Sequence, residues 1–349
     1  MHMADALLSP AVAATMYVAS GAVAGVSIHK LKKDDEPRKL PVMAVTAALV
    51  FAGQMINYTI PGTGSSGHMC GGMLLSALLG PQAGFLSMIV ILAIQCLFFA
   101  DGGLLALGAN VWNMAFYGCF VGYYLIWRPI VKSSLFGEGK PAMRARIALA
   151  SVLGCIITLQ LGAFSVVLET SLSGITELPF GTFVALMQPI HLAIGLVEGL
   201  ITTAVLLFVY ESRPELLMDV EAEADGSKRS LKAVVAVLAV VALLVGGGLS
   251  LLASSNPDGL EWALFGNAEE GYAENMGLDE EAYGVESAAA DTAEAIQEKT
   301  AFLPDYAFAD SDSAVGTSVS GIVGSAMVAG VAVLICLAGG FFRKKMTET

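Results

Sequence analysis

His2 stands one residue behind the first amine of the chain, and that spacing can build a chelate. The Met1 α-amine, the His2 backbone nitrogen and the His2 imidazole are successive nitrogen donors on a short tether. Together they can take three corners of a square around one ion. Donation by the amide nitrogen requires loss of its proton, which favours Cu(II) or Ni(II) over harder divalent ions. Square-planar nitrogen sites are diagnostic of the same two metals. A fourth nitrogen would complete the square, and His68 is the available candidate. The alternative is a chance histidine on a frayed terminus, and the spacing taken alone favours that alternative.

His68 lies in Pro61-Gly62-Thr63-Gly64-Ser65-Ser66-Gly67-His68-Met69-Cys70-Gly71-Gly72, where five of the eleven residues 62–72 are glycine. Such a run permits irregular backbone. At membrane depth it is tolerated only where protein buries it or where it lines a cavity; a plain external turn is the competing reading. No Gly-Lys-Ser/Thr follows, so a phosphate cradle is not expected. Cys70 could offer a thiolate, but all five cysteines (Cys70, Cys96, Cys119, Cys155, Cys336) lie in or at the ends of apolar runs and read as small buried hydrophobes. His29 opens a basic loop and is expected in solvent, whereas His191 reads equally as a packed or a functional residue. Asp101 reads first as a helix cap and second as a hydrogen-bond acceptor beside a metal site. Glu198 falls inside an apolar run, where an acid costs about 2.5–3.5 kcal/mol to insert. It is expected to bond polar groups within the bundle, with His191 on the same helix as one candidate partner.

The elements that must position these residues are membrane helices. Of 349 residues, 56% are hydrophobic and 14% charged, with a mean hydropathy of +0.71. That composition excludes a disordered chain, a nucleic-acid binder and a soluble globular enzyme. The fold class expected is all-α, a polytopic membrane helical bundle of about nine transmembrane segments. They fall at 10–28, 41–58, a short 69–80, 83–100, 103–127, 147–168, 182–210, 231–253 and 319–342. Seventeen of the 18 basic residues lie in loops that nine crossings place on one side. Cytoplasmic loops are enriched in Lys and Arg, so the N-terminus is expected outside and the C-terminus inside. The first apolar run lacks the basic start and cleavage site of a leader peptide. Ser9-Pro10 reads as an N-cap with Pro at the first helical position, leaving about eight residues to fold back into the bundle. The net charge of −13 resides in residues 254–317, which hold 15 acids against one Lys. That loop is expected outside the membrane as a solvated connector, with a second reading as a concentrator of cations.

Several strings together resemble a known family. Met1-His2-Met3-Ala4-Asp5-Ala6-Leu7-Leu8-Ser9-Pro10 is similar to the M-H-I-P-D-G-F-L-S-P opening of the nickel/cobalt substrate-capture proteins of energy-coupling-factor transporters, departing at Ala4 and Ala6. Gly64-Ser65-Ser66-Gly67-His68, Phe99-Ala100-Asp101-Gly102-Gly103-Leu104 with Ala106-Leu107-Gly108-Ala109-Asn110, and His191-x-x-Ile194-Gly195-x-x-Glu198-Gly199 resemble that family's later signatures. Pro257-Asp258-Gly259-Leu260-Glu261-Trp262 resembles its small two-span accessory component, here fused to the same chain.

The resemblance implies a capture bundle at 1–212, a polar cytoplasmic linker at 213–230 and an accessory unit at 231–349, in the cell (inner) membrane. It implies metal donors at Met1, His2 and His68. Ni(II) is the expected cargo, because the short S-G-H loop looks more like nickel members. No organic cofactor is expected. The implied partners are a transmembrane coupling protein and cytoplasmic ATP-binding-cassette ATPases, so the chain itself is not an enzyme. The readings held beside it are Co(II) uptake for cobalamin synthesis and an ion-coupled secondary transporter.

Overall fold

A computed structural model describes residues 2–32, 39–174, 179–220, 229–267, 284, 287–308 and 315–340. Met1, the basic residues Lys33, Arg38, Lys228, Arg343, Lys344 and Lys345, and the acids at 268–283 lie outside the described residues.

Ser9 caps the first helix, its side chain accepting from the Val12 amide, and Pro10 supplies a pre-set φ at the first helical position. This helix, α1 (Pro10–Leu31), turns Val18 and Val26 outward, as a lipid-facing helix should. Next come α2 (Lys39–Gln54), a hairpin of β1 (Tyr58–Ile60) and β2 (Ser65–Gly67), and α3 (Gly72–Leu79). Then follow α4 (Pro81–Phe99) and α5, a continuous run of Leu107–Asn110, Val111–Trp127 and Arg128–Val131. The bundle closes with α6 (Lys140–Leu172) and α7 (Phe180–Ser212), which pack along one another. Beyond it lie α8 (Leu231–Gly247), the short α9 (Gly259–Phe265), α10 (Ala288–Thr300) and α11 (Val315–Gly339).

The described residues are mostly helical, and six helices are long and apolar enough to cross a membrane: α1, α4, α6, α7, α8 with its continuation to Leu252, and α11. The apolar run at 69–80 is α3, only eight residues long and buried at every position. Eight residues rise about 12 Å, well short of a bilayer core. Irregular chain at 68–71 precedes α3, and α4 begins directly after Gly80 and packs back against it.

Three local readings change. The hairpin β1–β2, paired Tyr58↔Gly67, Thr59↔Ser66 and Ile60↔Ser65, interrupts a fold expected to be all-α. It takes the residues on which the second apolar run was expected to end. The fifth run, expected from 103, becomes helical only at Leu107 because 101–106 forms a turn under the N-terminal segment. Part of the polar linker also docks. The Met218 amide donates to Ala77 O at 2.8 Å, Trp127 Nε1 donates to Met218 O at 2.9 Å, and Asp219 accepts from Tyr123 Oη and Lys132 Nζ, both at 2.6 Å. Helices α8 and α11 lie against α2, and α11 also touches α4.

Candidate metal centre

The first residues are held inside the bundle by backbone hydrogen bonds. The Met3 amide donates to Asn110 Oδ1 at 2.8 Å, and Met3 O accepts from Asn110 Nδ2 at 3.2 Å and from the Gly103 amide at 2.9 Å. Asp5 Oδ1 accepts from the Ala106 amide at 2.9 Å. Met3, Leu7 and Leu8 are fully buried, so burial of apolar surface reinforces the polar clamp.

That clamp delivers His2 to His68. Their rings stack with centroids 5.2 Å apart and planes 22° apart. His2 Nδ1 lies 3.1 Å from Asp101 Oδ1, and His68 Nδ1 lies 3.0 Å from Met69 O. Carboxylate and carbonyl oxygens only accept, so each Nδ1 carries the proton and each Nε2 carries a lone pair. His2 Nε2 is buried without a hydrogen-bond partner. Burial pulls both imidazoles below their ordinary pKa, His68 to about 3, so both rings are neutral nitrogen donors at pH 7. A chelate ring with the residue's own amide nitrogen closes only through Nδ1. Half a turn of the His2 ring about Cβ–Cγ places Nδ1 on the opposite edge and leaves Nε2 on the Asp101 edge.

The loop carrying His68 is anchored from α7. Glu198 is fully buried and accepts from the Cys70 amide at 2.7 Å and the Gly71 amide at 2.8 Å. Gly71 has φ +86°, a left-handed conformation that disfavours any Cβ. Gln54 Nε2 donates to Cys70 O at 2.7 Å from α2. The expected Glu198–His191 contact is not formed, because His191 Nδ1 turns back to Met187 O at 2.8 Å. The Cys70 thiol donates to Met114 O, which engages it as a buried structural group. Asp101 is not a helix cap either: α5 starts at Leu107 without a side-chain cap, and Asp101 pairs with His2 instead.

The chain that follows α8 packs at the same end. Ser66 on β2 donates from its amide to Pro257 O at 2.9 Å and from Oγ to Asn256 O at 2.7 Å. Asp258 then caps α9, accepting from the Leu260 and Glu261 amides at 2.8 and 3.0 Å, while Glu261 returns a carboxylate to the Asp258 amide. Asp258's charge, and then burial, push the Glu261 carboxyl up to about 7. A cleft of about 800 Å³ opens onto His2, lined by Asp5, Asp101, Asp258, Glu261, Asp291, Glu294, Glu298 and Asp305 and by no Lys or Arg among the described residues. Beside His68 the interior narrows to a cavity of about 10 Å³, edged by Cys70, His191 and Asp258.

The sequence pointed to His2 and His68, and the fold brings them together; Met1 lies outside the described residues. Asn110 and Asp5 carried no signal beyond their places in the motifs. Gln95, Gln297 and Tyr306 carried none.

The fold and this pocket define a polytopic helical membrane protein that packs its own first residues against an internal histidine. The chain belongs to the family described as cobalt uptake substrate-specific transmembrane region, matched over residues 2–216, and carries a PDGLE domain over residues 232–339. A chain of Archaeoglobus fulgidus named as a fused nickel transport protein is 37% identical over 330 residues, covering 94% of this chain and 95% of that one. A cobalt transport protein of Sorangium cellulosum is 30% identical, covering 62% of this chain and 94% of its own. A crystal structure titled as a truncated transition metal transporter is 32% identical, with a TM-score of 0.52 over 60% of this chain and 99% of that one.

Proposed function

We propose that this chain is the substrate-specific membrane component of an energy-coupling-factor importer, and that it captures Ni(II) from outside the cell. The observation that carries the reading is the stacking of two imidazoles, His2 and His68, with ring centroids 5.2 Å apart inside the bundle. The His2 amide and imidazole, the His68 imidazole and the Met1 α-amine supply four nitrogens, a set suited to square-planar Ni(II). Asp101 Oδ1 lies against His2 Nδ1 in the structure; once the ring has turned so that Nδ1 faces the ion, the same carboxylate accepts the Nε2 N–H, which fixes tautomer and ring orientation.

The bundle at 1–212 performs the capture, and the accessory unit at 231–349 closes over it, joined by the linker at 213–230. Nine crossings of the inner membrane, with the N-terminus outside and the C-terminus inside, put the basic loops in the cytoplasm and 254–317 outside. ATP is hydrolysed by separate cassette ATPases acting through a transmembrane coupling protein, in keeping with the resemblance. Inward release requires the cavity beside His68 to widen, since about 10 Å³ admits a single water-sized sphere.

The test is Ni(II) and Co(II) binding to purified full-length chain by competition with a chelator. Wild type is expected to retain one ion and prefer Ni(II). His2→Ala and His68→Ala are each expected to weaken retention about a hundredfold, the upper range for disturbing a metal site's ligand environment. Full retention by both variants would sink the site, and preferential retention of Co(II) would move the reading to cobalt uptake.

The acidic cleft is a steering device on this reading, because clefts lined by one charge raise the local concentration of counter-ions. Replacing Asp291, Glu294 and Glu298 by their amides is expected to slow Ni(II) association several-fold at low ionic strength. The difference should vanish near 1 M salt, where the screening length falls to about 3 Å. Stopped-flow association at both salt concentrations checks it; equal rates at low salt would exclude steering.

A further inference from the structure

We infer that Tyr306, supplied by the accessory unit, is a positioning residue for the capture site: it holds Asp101, and Asp101 holds the His2 imidazole. The inference rests on the capture reading above and adds a role for the fused unit within the site itself.

The two oxygens of one carboxylate are divided between the two parts of the chain. Asp101 Oδ1 lies 3.1 Å from His2 Nδ1, on the ring edge that Nε2 occupies once Nδ1 turns to the ion, while Asp101 Oδ2 accepts from Tyr306 Oη at 2.5 Å. With one oxygen committed to the tyrosine, the carboxylate cannot rotate away from His2 without breaking a short charge-assisted hydrogen bond. Burial, and then the charge of Asp101, push the Tyr306 hydroxyl well above its ordinary pKa, so it remains a proton donor. Gln95 Nε2 donates to the same hydroxyl oxygen at 3.2 Å and completes its hydrogen bonding.

The tyrosine is itself held on several sides. Its ring stacks on Phe99 at 4.9 Å and meets Phe51 edge-on at 6.3 Å. Ser320 Oγ on α11 donates to Tyr306 O at 3.0 Å. Asp305 and Tyr306 both take left-handed backbone angles, φ +50° and +60°, which non-glycine residues adopt when their surroundings over-determine them. A second grip comes from α10, where Gln297 Nε2 donates to Gly102 O at 2.9 Å and to Cys96 O at 3.0 Å. Gln297 Oε1 also accepts from the Leu104 amide at 3.2 Å. The turn that presents Asp101 is therefore clamped by the accessory unit through both Gln297 and Tyr306.

The experiment is a double-mutant cycle in the full-length chain, read by Ni(II) affinity and by the visible absorption of the bound ion. Tyr306→Phe keeps the ring in its aromatic contacts and removes only the hydroxyl. It is expected to lower Ni(II) affinity about tenfold and shift the ligand-field bands, with little change in melting temperature. Asp101→Asn is expected to lower affinity at least as much. The double variant should then be no weaker than Asp101→Asn alone, because Tyr306 acts through Asp101. Unchanged affinity and spectrum in Tyr306→Phe would overturn the inference. So would a tenfold loss that persists undiminished in the Asp101→Asn background, which would mark packing rather than positioning. His2→Ala separates the two readings. If it binds Ni(II) like wild type, the capture reading fails and takes this inference with it. If it loses the ion while Tyr306→Phe does not, the positioning role alone fails.

Discussion

Gly103→Ala is expected to reduce Ni(II) retention to background although it alters no donor atom. A Cβ at Gly103 would meet the Asp5 carboxylate directly and lie 2.5 Å from the Asp5 backbone nitrogen. A side chain can rotate away from such a conflict; a backbone nitrogen cannot. The Gly103 amide also donates to Met3 O, so the residues at 2–8 are held at the very place the methyl group would enter. The relief available is displacement of the terminal segment, which breaks the Met3–Asn110 pair and withdraws His2 from Asp101 and His68. Overpacking of this kind costs about 1–3 kcal/mol, too little to unfold a helical bundle whose core lies elsewhere. The expected signature is thus lost metal with a retained melting transition. Metal analysis alongside thermal melting in detergent measures both, and wild-type retention in Gly103→Ala would show that the terminal segment does not carry the ion.

Glu198→Gln should damage both fold and binding. The carboxylate accepts two backbone hydrogen bonds, from Cys70 and Gly71, and an amide can accept only one while aiming N–H at the other donor. Losing a bond to a charged acceptor and stranding a buried amide costs about 2–4 kcal/mol together. The strain falls on the residues directly after His68, where Gly71 already holds a left-handed conformation, so His68 is expected to lose its register against His2. We expect a lower melting temperature and Ni(II) affinity reduced at least a hundredfold. Unchanged melting and uptake would remove Glu198 from the site's architecture. This role also differs from that of a coupling acid in an ion-driven carrier, since both oxygens are occupied by the loop.

Much of the bundle is legible in the sequence, because lipid imposes a simple rule: backbone polar groups must be satisfied inside each apolar run. The long runs at 10–28, 83–100, 147–168, 182–210, 231–253 and 319–342 each correspond to a helix long enough to cross, with ends shifted by a few residues. The short run at 69–80 was legible as exceptional but not as an eight-residue buried helix. Its burial depends on α2, α4, α5, α6 and α7 packing around it, and none of those contacts is encoded in local hydropathy. Asp101 illustrates the same limit. Its neighbours suggested a cap, since Asp before Gly-Gly and an apolar run has the local pattern of a helix start. Its partners, His2 and Tyr306, lie 99 residues before it and 205 after it in the chain.

Residue type and spacing by themselves offered a candidate set of nitrogen donors, and the motifs around them singled that set out. A histidine at position two offers amide and imidazole nitrogens in chelating order, and a glycine-rich loop around His68 allows another nitrogen to approach. The apolar runs likewise determined the membrane setting, since each is read within its own stretch of chain. The tertiary structure decided which candidates meet and what supports them. It put Asp101 on His2, moved Glu198 from His191 to the Cys70–Gly71 backbone, and brought Tyr306 and Gln297 from a distant acidic loop to the turn beneath the site. The reason is range: hydropathy and chelate spacing act within about 20 residues, whereas those hydrogen bonds form only after the helices have packed.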